Sequence, residues 1–152
     1  MTERTDLALG GPNVPDAARW LGGLGAIPFV SLALAGSLLE AGMRAQAVYA
    51  LAVYGAVILS FLGGIQWGLA IATDDGSLRR LGLSVVPPLV AWAGLLLPLA
   101  QGMILLAISF ACVLLVDLQA SRAGEAPAWY PKLRWPLTIA AAASLIVGIF
   151  FG

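Results

Sequence analysis

Gln66, Asp117 and Arg134 are the residues whose types and surroundings could do chemistry. Each lies inside or at the edge of a long apolar segment. Gln66 interrupts a 29-residue stretch without charge, residues 45–73, and Asp117 ends a 36-residue one, residues 81–116. Arg134 opens the last apolar segment, and Arg19 opens the first. A carboxylate or guanidinium in such surroundings is costly unless partnered, so its position carries information. Ser84 and Trp67 complete the candidate cluster. Pro87-Pro88 lie just beyond Ser84 and leave the carbonyls of Leu83 and Ser84 without their helical donors.

Two kinds of chemistry fit this set. In one, Asp117 pairs with Arg134 or Arg122, Gln66 hydrogen-bonds the freed carbonyls, and the cluster fixes helices to one another. In the other, the same groups line a shallow pocket for a phospholipid or quinone headgroup, or for a partner's loop. A carboxylate beside an arginine also suits a proton path, but a single acidic residue is a thin basis for one.

Other chemistry is poorly provided for. The chain has no histidine, which removes the commonest general base and transition-metal ligand. Its one cysteine, Cys112, excludes an intrachain disulfide and reads as a small packing residue rather than a thiol nucleophile. Hydrolysis or group transfer needs a nucleophile, a base and oxyanion donors within reach, and no such constellation assembles here. The expectation is a non-enzymatic protein with no metal site and no cofactor. Net charge is zero and the eight basic residues are scattered, which argues against nucleic acid as a partner and leaves membrane lipid.

The elements that must position these residues are membrane helices. A bilayer core about 30 Å thick needs roughly 20 apolar residues per helix. With 61% hydrophobic and 11% charged residues among 152, the chain reads as an all-α bundle of five transmembrane helices. The expected spans are 20–39, 48–72, 81–98, 101–118 and 135–151. The 36-residue stretch would be about 54 Å long as one helix, so Pro98 and Gly102 are expected to divide it. Pro28, Pro87 and Pro88 are further expected kinks.

Basic residues set the expected orientation. With five spans, Arg4, Arg19, Arg79, Arg80, Arg122, Lys132 and Arg134 share one side, and Arg44 alone faces the other. That bias puts the N-terminus in the cytoplasm and the C-terminus outside. Trp20, Trp129, Tyr130 and Trp135 then fall at the cytoplasmic aromatic belt. Residues 1–18 are polar and hold Glu3, Asp6 and Asp16, unlike a signal peptide or a transit peptide, so they read as a flexible cytoplasmic tail. Pro15-Asp16 is a suitable helix start. Residues 19–152 form the transmembrane domain. By this depth reckoning Gln66, Asp117, Arg134, Arg19 and Ser84 all lie in the inner leaflet.

Small residues recur every fourth position along the second span: Ala52, Ala56, Ser60, Gly64, Gly68 and Ala72. Such a line lets helix backbones approach closely in lipid. It predicts packing against the protein's own helices, or else a homo-oligomer or partner contact, and Gly64→Leu is expected to disrupt that packing. Gly22-Gly23-Leu24-Gly25-Ala26 is no dinucleotide fingerprint, because no strand precedes it. Close packing and a bend at Pro28 are its expected roles.

The segment from Tyr54 to Gly68, with Gly63-Gly64-Ile65-Gln66-Trp67 at its heart, closely resembles the signature of the family called domain of unknown function 3429. Leu24-Gly25-Ala26-Ile27-Pro28-Phe29, Pro87 with Trp92, and Trp129-Tyr130-Pro131 with Leu133-Arg134 and Thr138 extend the resemblance over most of the chain. It implies a multi-pass protein of bacterial or mitochondrial inner membranes without an established activity. The resemblance also implies a basic residue in many relatives at the position of Gln66, and this departure argues against proton chemistry. The leading functional expectation is an accessory or assembly partner of a larger inner-membrane complex. The alternative is a lipid- or quinone-headgroup-binding or small transport module.

Overall fold

The computed structural model describes residues 13–74 and 76–151. Five helices fill this range: α1 (Asp16–Leu38), α2 (Ala41–Ala72), α3 (Leu78–Leu96), α4 (Leu99–Arg122) and α5 (Tyr130–Ile149). No strand occurs among the described residues. Most of the expected tail, residues 1–12, lies outside them, but residues 16–18 already belong to α1.

Helix ends follow local chemistry more than hydropathy. Pro15 caps α1 with an extended ψ of 139°, and Asp16 sits in the first turn, where a negative charge favours the helix dipole. α2 starts seven residues before its expected position, carrying Arg44 and Gln46 on the helix. Its 32 residues make it roughly 48 Å long. The Ser77 Oγ accepts from the Arg80 backbone N–H and caps α3, so Arg79 and Arg80 occupy the first turn rather than a loop. α5 begins at Tyr130 instead of Trp135, because Pro131 falls in its first turn, where a proline lacks nothing the helix needs.

Pro98 does divide the 36-residue stretch, as cap of α4 after an extended Leu97. Gly102 is not part of the break. It lies within α4 against Gly94 of α3, where an added Cβ would collide with the Gly94 carbonyl. Pro28, Pro87 and Pro88 lie inside continuous helices.

α2 is the central rod, packed against all four other helices. Around it α1 meets α5, α5 meets α4, and α4 meets α3. The core joins Val48, Leu51 and Leu59 of α2 to Met103, Leu106 and Phe110 of α4 and Leu145 of α5. Large apolar side chains also cover the outside, among them Leu24, Phe61, Leu89, Trp92, Leu115 and Ile146. Water would not tolerate such a surface, whereas lipid solvates it. Cys112 belongs to this outer face, exposed rather than packed in the core. Four helices, α1, α2, α4 and α5, are long and apolar enough to cross a bilayer. The chain is a multi-pass membrane protein.

Candidate functional site

Three helices deliver one polar residue each to the same point. Leu59, Leu62, Gly63, Gln66 and Ala70 share the buried face of α2. Phe110, Val113, Leu114, Asp117 and Ala120 do so on α4, and Tyr130, Arg134, Thr138 and Ala141 on α5. The spacing that makes each helix pack therefore also aims its polar residue inward.

Asp117 is the hub. Its Oδ1 accepts from Gln66 Nε2 at 2.5 Å, and its Oδ2 accepts from Arg134 Nε at 2.6 Å. Gln66 and Asp117 are 1% exposed and Arg134 5%, so all three are withdrawn from solvent and lipid. Each lies one to two turns from its helix end, and those ends lie together. A bridge of 2.5 Å between Arg80 Nη2 and Glu125 Oε2 ties the start of α3 to the loop after α4.

Of the two expected partners for Asp117, Arg134 is the one engaged, while Arg122 is exposed. The other expectations need correction. Gln66 does not serve the carbonyls freed by Pro87 and Pro88, because its amide donates to Asp117 instead. The Ser84 hydroxyl bonds to the Leu81 carbonyl of its own helix, at 2.5 Å. Arg19 pairs with Asp16 at 3.7 Å on the exposed start of α1, and Trp67 is 44% exposed on the outer face. Neither Arg19 nor Trp67 joins the cluster.

The small-residue line on α2 also divides. Ala52 and Ala56 are buried in the core, Ser60 is partly covered, and Gly64, Gly68 and Ala72 face outward. A Cβ on Gly64 or Gly68 would meet nothing within 4 Å. The residue that permits close approach is Gly63, whose Cβ would lie 2.5 Å from the Ser84 carbonyl and 2.8 Å from Pro88 Cδ. A four-residue repeat drifts around a helix of 3.6 residues per turn, so one line cannot stay on the packed face over five turns.

Beside the polar hub lies a groove between α1, α2 and α5, with a cavity of about 310 Å³. Gly22, Gly25 and Ala26 form the α1 wall, and their lack of bulk leaves the space open. Phe29 lines it while packing edge-on against Phe110, with ring centres 5.8 Å apart. The Tyr54 hydroxyl donates to the Gly25 carbonyl at 2.8 Å and pins α1 to α2 at this level. Arg134 and Tyr130 are the polar side chains of the lining.

Tyr130 was expected at the aromatic belt, yet it is 8% exposed and belongs to the site. Its four-residue spacing from Arg134, and that of Arg134 from Thr138, is the signal that could have found both. The Tyr130 hydroxyl turns to the Asp117 carboxylate as a third hydrogen-bond partner, and among the described residues Arg134 Nη2 and Thr138 Oγ1 have none. No group of metal-ligating side chains gathers among the described residues.

Residues 14–150 match the family described as protein of unknown function, DUF3429. The chain is also 34% identical over 139 residues to transmembrane protein 69 of Xenopus tropicalis, which covers 88% of this chain and 54% of that protein. It thus spans about half the length of the curated relative it matches. No solved structure matches the chain. By the extent of the family match and this identity, the chain belongs to the DUF3429 family.

Proposed function

We propose that this protein is a non-enzymatic membrane component that holds an amphipathic membrane molecule in the groove between α1, α2 and α5. The observation that carries this reading is the pairing of an apolar cavity with two buried polar residues, Tyr130 and Arg134, of which Arg134 holds a donor atom, Nη2, without a partner among the described residues. Buried polar atoms are normally satisfied, and a site that leaves a donor open at the end of a cavity is suited to a polar head with an apolar tail. Native mass spectrometry after gentle extraction tests it. A retained amphiphile lost in Gly25→Leu supports the reading, and an empty protein refutes it.

The topology proposed with it is five crossings, N-terminus cytoplasmic, in a bacterial inner membrane. α3 is the span in question, being short and bearing Arg79, Arg80 and two prolines. Its start is tied to the loop after α4 by Arg80 and Glu125, while its end packs at Gly94 against Gly102 near the start of α4. Since α4 runs the length of the bundle between those points, α3 traverses it as well, which supports an odd number of crossings. Arg19, Arg79, Arg80, Arg122, Lys132 and Arg134 then lie on the polar side and Arg44 on the other, as the positive-inside rule requires of a cytoplasmic N-terminus.

A second reading, accessory or assembly partner of a larger membrane complex, is favoured by the outward face of Gly64, Gly68 and Ala72. Site-specific crosslinking from Gly64→Cys in native membranes should then capture a discrete neighbour that Leu89→Cys does not.

A further inference from the structure

We propose that the groove binds a neutral, carbonyl-bearing ring lipid of the quinone class, with a ring oxygen taken by Arg134 Nη2 and the tail leaving along α1. This rests on the groove reading above and names its ligand.

Charge selects the head. Arg134 carries the positive charge of the lining, and Asp117 already neutralises it through the 2.6 Å ion pair. No net charge is left to balance a phosphate, whose transfer into a buried site without a counter-charge is prohibitive. What remains open is donor capacity: the guanidinium Nη2 lacks a partner among the described residues, while the Tyr130 hydroxyl beside it is turned to Asp117. A neutral acceptor such as a ring carbonyl answers that donor without adding charge.

Size and shape agree with that choice. A cavity of about 310 Å³ is at the small end of ligand sites and suits one ring with the start of a chain. Phe29, Phe61 and Phe110 supply aromatic walls, and Gly25 presents backbone against which a flat ring can lie. A Cβ on Gly25 would meet only the Tyr54 hydroxyl, at 3.9 Å, so the position has room for a side chain that fills the groove without displacing the core.

The test uses the full chain in phosphatidylcholine nanodiscs, titrated with decylubiquinone and followed by thermal shift, alongside native mass spectrometry of protein extracted from its own membrane. Saturable stabilisation by the quinone is expected, with one quinone per chain in the spectrum. Gly25→Leu should abolish binding, and Ala26→Leu provides a second blocked groove should Gly25→Leu fail to fold. If a glycerolipid is retained instead, is lost in the blocked variants, and decylubiquinone gives no saturable shift, the quinone assignment is wrong and the groove reading survives. If neither class binds, or if the blocked variants retain what the wild type retains, both fall.

Discussion

Arg134 Nε lies 2.6 Å from Asp117 Oδ2, joining two buried side chains 17 residues apart across the turn from α4 to α5. The pair, with Gln66 on the other carboxylate oxygen, holds three helices at one level where apolar packing alone has no preferred register. In a bilayer the surrounding lipid is as apolar as the core, so polar contacts and close packing carry the specificity that the hydrophobic effect supplies in water.

Breaking one side of this pair should cost far more than removing both. Asp117→Leu strands a buried guanidinium and is expected to destabilise the bundle by about 3–5 kcal/mol, whereas Asp117→Leu combined with Arg134→Met should recover most of the loss. Thermal unfolding in mild detergent checks this. Equal loss in the single and double variants would show that the pair is not what holds α4 to α5.

Adjacent glycines should behave in opposite ways. Gly63→Ala drives a methyl group into the Ser84 carbonyl and Pro88 and is expected to cost about 1–3 kcal/mol, while Gly64→Leu is tolerated because its face is open. Expression level and melting temperature of the two variants read this directly. A destabilised Gly64→Leu beside a normal Gly63→Ala would mean that α2 is rotated.

The contact between Gly94 and Gly102 makes a similar demand on the α3–α4 hairpin. Gly102→Val should separate the two backbones and expose the hairpin to proteolysis, because a Cβ there collides with a carbonyl that α3 cannot move alone. Unchanged protease resistance in membranes would contradict the close approach.

The Tyr54 hydroxyl bridging to the Gly25 carbonyl should matter modestly. Tyr54→Phe is expected to cost about 0.6 kcal/mol, the average for one hydrogen bond between membrane helices. A loss several times larger would mean that the hydroxyl organises the groove rather than pinning one edge.

A tag after residue 152 is expected outside the cytoplasm under the proposed topology, in which five crossings put the ends on opposite sides. Protease digestion of right-side-out vesicles decides it, and a protected tag would make the number of crossings even.

The sequence by itself determined that the chain dissolves in lipid, that it forms five helices, and that Pro98 divides the longest apolar stretch. These follow from one-dimensional quantities: the length of charge-free segments and the residues that cannot continue a helix. It also marked Gln66, Asp117 and Arg134, because a polar residue in apolar surroundings is conspicuous wherever it faces. The tertiary structure alone decided which polar groups meet. Arg122 is much nearer to Asp117 along the chain than Arg134, yet the docking of α5 on α4 selects Arg134. It also decided that Gly63 rather than Gly64 is the packed glycine, and that Tyr130 turns inward from the expected belt. A helix rotates 100° per residue, so one position in sequence is the difference between core and lipid, and that phase is set by neighbouring helices.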